Sequence, residues 1–256
     1  MNAILFDVAR CTGCEKCVAA CVAERGLDPA RADRARAEAR DGLSEDRWLA
    51  IRKVADGRFT RNSCLHCLDP SCVSACLVGG LTKTALGPVV YDPAKCIGCR
   101  YCMLACPFHV PRYQWREERP YVRKCDMCVD RQRRGEVPAC VAACPHEALA
   151  FGERDALLAE ARARIAAGRA GSPKYLDHIW GERELGGTSV LYVSDVSLEA
   201  LGWPVPEAPP IPELTVPLIE KTPFIGLSVA SCLLGIHWVI RRRMELGAER
   251  AEGEKP

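Results

Sequence analysis

The spacing of cysteines constrains this chain more than any other feature. Of 17 Cys in 256 residues, sixteen fall into four tight groups and one, Cys232, stands alone. The first group is Cys11, Cys14, Cys17 and Cys21, and the third is Cys96, Cys99, Cys102 and Cys106. Both read C-x2-C-x2-C-x3-C, and they align at a constant offset of 85 residues, from Cys11 to Cys96, which marks an internal repeat. The second group, Cys64, Cys67, Cys72 and Cys76, has a four-residue gap before its third Cys. The fourth, Cys125, Cys128, Cys140 and Cys144, has an eleven-residue gap at the same place. Disulfide scaffolds spread their Cys through small secreted domains, so runs this tight read as metal ligands.

The chemistry of a cubane iron–sulfur cluster explains the runs. Three thiolates on one tight loop grip three iron corners of a cube, while the fourth iron takes a ligand from elsewhere. In two-cluster ferredoxins the last Cys of each run serves the other cluster, so runs work in pairs. Sixteen thiolates, four to a cube, give an expectation of four [4Fe–4S] clusters. A structural zinc protein is the rival from another class, but zinc sites use separated C-x2-C pairs and have no need of a third Cys at the next step. Pro107 and Pro145 follow the last Cys of groups three and four, as in bacterial ferredoxin runs; Val22 and Leu77 stand there in groups one and two.

Outside the Cys groups the sequence names no substrate chemistry. There is no carboxylate pair in a recognisable frame, no nucleophile motif and no phosphate-binding Gly loop, so the chain is expected to move electrons within an oxidoreductase complex without catalysing a reaction itself. A net charge of +2 leaves no electrostatic footprint for nucleic acid. The segments expected are a cluster domain over 1–151, a helix and strand extension over 152–203, a stiff Pro-rich linker over 204–222, an apolar helix over 223–240 and a polar tail over 241–256. In the extension, Leu157, Leu158, Ala161 and Ile165 share one face of a helix over Glu153 to Gly168, and Ser189 to Val193 reads as a strand. Asp28 to Asp41 reads as a solvated helical insertion, with Asp28 as N-cap and Pro29 at the first helical position. Residues 223–240 as a helix span about 27 Å, enough for a bilayer and its lipid. Cys11 follows Met1 too closely to leave room for a secretory signal. Arg241, Arg242 and Arg243 follow the apolar helix, while Lys221 is the nearby cation before it. The positive-inside rule then sets the C-terminus in the cytoplasm and the cluster domain in the periplasm.

The order of the groups, the wide fourth group, the segment Gly98-Cys99-Arg100-Tyr101-Cys102-Met103-Leu104-Ala105-Cys106-Pro107 and the apolar tail resemble the four-cluster beta subunits of membrane-bound formate dehydrogenases and nickel–iron hydrogenases. The stretch from Tyr175 to Pro204, with Trp180-Gly181-Glu182-Arg183-Glu184 and Val190-Leu191-Tyr192-Val193, is most similar to the hydrogenase branch. This resemblance implies an α+β fold of two ferredoxin-like two-cluster modules, one inserted in the other, followed by a single C-terminal transmembrane helix. It implies four ligand sets: Cys11, Cys14 and Cys17 with Cys144; Cys125, Cys128 and Cys140 with Cys21; Cys64, Cys67 and Cys72 with Cys106; and Cys96, Cys99 and Cys102 with Cys76. The partners implied are a catalytic subunit, a nickel–iron hydrogenase or a molybdenum or tungsten formate dehydrogenase, and an integral membrane subunit that handles quinone. Another molybdopterin oxidoreductase is the alternative; the nitrate-reductase branch, which replaces one Cys, is disfavoured because none is replaced here.

Several residues carry weaker readings. His66, His109 and His146 stand beside ligand Cys and are candidates to tune cluster potentials or are ordinary loop residues. Lys124 is a candidate for the same role by its charge, or a surface residue. Tyr113 and Trp115 read as packing between modules. Cys232 reads as a small apolar side chain, and His237, in the apolar helix, as a hydrogen-bonding group toward a neighbouring helix.

Overall fold

Ala3, Leu5 and their neighbours Ile4 and Phe6 alternate in a run short enough for a strand, and both faces of that strand are buried, as expected of a central strand covered on both sides. It is β1 (Asn2–Asp7), in a computed structural model that describes residues 1–54, 57–169, 174–197, 200–202 and 211–253. There follow helices α1 (Lys16–Glu24) and α2 (Pro29–Glu38), strands β2 (Leu49–Lys53) and β3 (Phe59–Ser63), and the short helix α3 (Ser71–Ser74). Next come β4 (Leu81–Lys83), β5 (Val89–Tyr91), α4 (Tyr101–Ala105), β6 (Arg112–Tyr113) and β7 (Val122–Arg123). The chain continues with α5 (Val129–Arg133), α6 (Ala139–Ala142), β8 (Leu149–Glu153), α7 (Arg154–Arg169), β9 (Val190–Val193) and α8 (Ile211–Gly253).

β1 is the middle strand of a three-stranded sheet, antiparallel to β8 and parallel to β9. β2 with β3, β4 with β5 and β6 with β7 are separate antiparallel pairs. The β1–β8 pairing sets the loop after β1, which holds the first Cys group, beside the end of the fourth group, which leads into β8. Helix α1 packs on α6, and α3 on α4. Ala3 and Leu5 face a cluster with Leu157, Leu158, Ala161 and Ile165 of α7 and with Leu191 and Val193 of β9. Ile4, Phe6 and Val8 face the other side, among Cys17, Cys21, Cys140, Trp180 and Tyr192. The three aromatic rings meet edge to face, Phe6–Tyr192 at 5.5 Å and Trp180–Tyr192 at 5.4 Å between centroids, a geometry that adds to the area they bury. The α7 face and the β9 strand are those expected from periodicity. In α2, the Asp28 carboxylate accepts from the N–H groups of Ala30 and Arg31 with Pro29 at the first position, which satisfies the open end of the helix.

The chain divides into two compact units, Met1–Pro212 and Glu213–Pro256. The linker expected over 204–222 is corrected in part: residues 204–210 lie outside those described, but from Ile211 onward the chain is already helical, and α8 takes in Pro217 and Pro223. Pro212 falls in the first turn, where no N–H is needed. Pro217 and Pro223 each remove one backbone hydrogen bond, which long apolar helices tolerate. Within α8, Pro217–Gly247 is long and apolar enough to cross a membrane, by length and composition, and is unburied. Thr222 and Ser228 turn their hydroxyls back onto the carbonyls of Leu218 and Phe224 at 2.9 and 2.8 Å.

Candidate metal centres

Each Cys group opens on the same backbone device. In the step from first to second Cys, the residue just before the second has a left-handed φ: Gly13 at 72°, His66 at 50°, Gly98 at 74° and Met127 at 54°. That conformation turns successive N–H groups toward the inside of the loop, forming a concavity that suits anionic sulfur. The N–H of Gly98 reaches Cys96 Sγ at 3.4 Å and that of Met127 reaches Cys125 Sγ at 3.3 Å. Glycine takes this shape without steric cost in the two C-x2-C-x2-C runs; His66 and Met127 take it in the two irregular runs.

The tertiary fold then gathers the sulfurs in fours. One small cavity is lined by Cys11, Cys14, Cys17 and Cys144, together with His146. A second is lined by Cys21, Cys125, Cys128 and Cys140. Cys67 lies in the electrostatic reach of Cys64, Cys106 and Cys72, and Cys102 in that of Cys96, Cys99 and Cys76. Gly80 donates its N–H to Cys76 Sγ at 3.1 Å. In each gathering, three sulfurs come from one run and the fourth from another. Cys14 and Cys99 reach the surface, while Cys17, Cys21, Cys64, Cys102, Cys125, Cys128 and Cys140 are buried.

Burial and mutual repulsion hold Cys17, Cys21, Cys106 and Cys125 in their neutral form. Burial, then the charge of Cys140, pushes the Cys17 thiol up to about 12. Burial does the same for Cys125, to about 12, and for Cys106, to about 11; Cys21 is raised well above its usual range, by burial first and then by Cys125 and Cys140. Such a set binds metal only with release of its protons. Among the described residues no three His, Cys, Asp or Glu side chains stand close enough to hold a single metal ion.

The buried cations and donors also fit an anionic cluster. His66 is 1% exposed; its Nδ1 accepts from the Val89 N–H at 2.9 Å, so Nε2 carries the proton, and that buried donor has no hydrogen-bond partner. Burial, then the charges of Lys124, Lys83 and Arg61, keeps the ring neutral. Lys124 is buried rather than on the surface, its ammonium donating to the carbonyls of Val89 and Cys125 at 2.5 and 3.0 Å. Arg61 is buried at 1% exposure with its Nε unpartnered. Nothing in the spacing of Cys pointed to Arg61; its strand precedes the second group, and its neighbours come from groups one and four. His109 is exposed. Tyr113 is buried and meets the exposed Trp115 edge to face at 5.5 Å, with the Arg100 guanidinium over both rings at 5.0 and 4.4 Å. Cys232 and His237 are exposed on α8.

A ferredoxin-type domain that gathers Cys side chains in fours, on loops whose N–H groups turn inward, defines an iron–sulfur electron carrier. Comparison with known proteins agrees. The sequence profile of a 4Fe-4S dicluster domain matches residues 55–154. Hydrogenase-2 operon protein HybA of Escherichia coli O157:H7 is 34% identical over 237 residues, which cover 78% of this chain and 72% of HybA. The B subunit of anaerobic dimethyl sulfoxide reductase from Escherichia coli is 41% identical over 153 residues, covering 59% of this chain and 73% of the relative. The iron-sulfur subunit of nitrate-inducible formate dehydrogenase from Escherichia coli is 34% identical over 207 residues, 74% of this chain and 66% of the relative. This chain thus belongs to the ferredoxin-type iron–sulfur subunits of oxidoreductase complexes and carries electrons through [4Fe–4S] clusters.

Proposed function

We propose that this chain holds four [4Fe–4S] clusters in series and passes electrons between a catalytic subunit of the nickel–iron hydrogenase or formate dehydrogenase type and a quinone-reactive membrane subunit. The ligand sets are Cys11, Cys14, Cys17 and Cys144; Cys21, Cys125, Cys128 and Cys140; Cys64, Cys67, Cys72 and Cys106; and Cys76, Cys96, Cys99 and Cys102. Bound in these sets, clusters supply one-electron redox centres. The chain's own residues contribute the thiolates, the inward N–H groups of the four left-handed loops, and the shield of Ile4, Phe6, Leu65 and Met127 packed with Cys17, Cys21 and Cys140.

The observation that carries this reading is the pair of cavities each lined by four Cys from the first and the fourth group. The same pairing supports two nested modules: groups one and four between β1 and β8 form the outer one, and groups two and three around the β4–β5 hairpin the inner one. The span of the HybA match, wider than that of the dimethyl sulfoxide reductase subunit, favours a hydrogenase partner. The local identity with the reductase subunit is higher, which keeps a molybdopterin reductase as the second reading. α8 would anchor the chain, with Arg241, Arg242 and Arg243 toward the cytoplasm and the cluster domain in the periplasm.

Ligand exchange between runs is tested by substitution. Cys144→Ala and Cys11→Ala should perturb the same electron paramagnetic resonance signal, and Cys21→Ala should perturb the signal altered by Cys125→Ala. A Cys144→Ala protein that keeps the Cys11 signal and loses that of Cys125 would refute the crossed sets.

A further inference from the structure

β3 carries Arg61 into the interior between two of the cysteine sets. Its side chain lines the cavity of Cys21, Cys125, Cys128 and Cys140, and its charge acts on the sulfurs of Cys125 and Cys140 and also on Cys17 of the neighbouring set. The residue is locked from several directions. Nη1 donates to Ser63 Oγ, and its main-chain carbonyl accepts from Tyr192 Oη at 2.8 Å, which ties β3 to β9 across the core.

What the pocket lacks is a carboxylate for this cation. Arg47, equally buried, has Glu15 at 3.3 Å. Asp126, the acidic residue lining the same cavity, is held by Arg25 at 2.9 Å. Arg61 has no carboxylate partner among the described residues, and its Nε is buried without any hydrogen-bond acceptor. A guanidinium in a dry interior needs negative charge within reach; among the described residues the groups acting on this one include Cys140, Tyr192, Cys125 and Cys17, and the cysteines would supply that charge as cluster-bound thiolates.

We propose that Arg61 is the shared counter-charge of the two clusters held by Cys11, Cys14, Cys17 and Cys144 and by Cys21, Cys125, Cys128 and Cys140, and that it raises the reduction potential of both. Reduction adds negative charge to a cluster, and a fixed cation in a low-dielectric site favours that more negative state. Because the charge of one side chain reaches sulfurs of both sets, it moves the two potentials in the same direction. Around Cys102, in the set of Cys76, Cys96, Cys99 and Cys102, the charges that act are those of its own set.

This inference rests on the four ligand sets proposed above, and the test separates the two. Iron and acid-labile sulfide in the unsubstituted protein check the sets; redox titration followed by electron paramagnetic resonance on the full chain checks Arg61. In Arg61→Met loaded with full iron, the two clusters should each become harder to reduce by at least about tenfold in equilibrium constant, ~59 mV for one electron, with the Cys76 set unmoved. In Arg61→Lys, which keeps the charge, both potentials should stay near those of the unsubstituted protein. Unchanged potentials in Arg61→Met, or an equal shift of all clusters, would overturn the proposal. If Arg61→Met binds less iron, Arg61→Lys decides: full iron with both potentials retained supports the counter-charge, and any other result for that variant overturns it.

Discussion

Asp7 ends β1 fully buried, four residues before the first ligand, and it is surrounded by donors. Tyr175 Oη reaches it at 2.8 Å, Arg164 at 3.0 Å, and the N–H groups of Ala9 and Arg10 at 3.1 and 3.2 Å. This knot fixes how the chain leaves the sheet for the loop of Cys11. Tyr175→Phe should therefore lower stability by about 1.5–3 kcal/mol, the usual worth of a hydrogen bond to a charged group. Burial, then the bond to Asp7 and its charge, pushes the Tyr175 hydroxyl up to about 12, whereas an unfolded tyrosine ionises near 10. The folded state thus keeps a proton that the unfolded chain releases, so the contribution is whole below about pH 10 and is lost as pH rises toward 12. Thermal melts of the two proteins should differ by a constant gap up to about pH 10 that narrows above it; a gap that stays constant to about pH 11.5 would refute the assignment. The left-handed loops of the Cys groups were legible in the sequence because a C-x2-C step is a local object. Arg61 and the orphaned Nε2 of His66 were not, because what buries them is distant: Tyr192 lies 131 residues from Arg61 and Val89 lies 23 from His66. Lys124 was read with a surface alternative for the same reason.

The α7 helix and β9 strand could be read from period alone, since four apolar residues on one face and a β-branched run need no knowledge of partners. Their pairing could not: β9 joins β1 in parallel after a crossover, and this is why residues written as an extension are part of the central sheet. The Pro-rich stretch misled at its C-terminal end. Counting Pro predicts extended chain, but Pro212 sits in the first turn and the apolar residues that follow carry α8 through Pro217 and Pro223. The consequence for function lies in α8. A chain ended after Pro212, the limit of the first compact unit, and expressed without other subunits should leave the membrane fraction while keeping its visible iron–sulfur absorption; retention in washed membranes would contradict anchoring by α8. The proposed orientation is tested separately by a fusion after Pro256. Phosphatase activity there would set the C-terminus outside and reverse the assignment; a silent phosphatase and an active cytoplasmic reporter are expected.

β1 and β8 meet in one sheet, which brings runs far apart in sequence to the same cavities. Cys11 and Cys144 are 133 positions apart in number and line one cavity; Cys21 and Cys125 line the next. The proposed sets would commit sixteen of the seventeen Cys to redox centres and leave the rest of the first unit to hold, shield and charge them. They also explain a chain rich in Cys and poor in aromatic residues, with five Phe and six Tyr: the clusters take the place of much of an apolar core. The central claim is therefore one of stoichiometry. Iron and acid-labile sulfide determined on anaerobically prepared full-length protein should each come to about sixteen per chain. A value near eight, or zinc in place of iron, would contradict it.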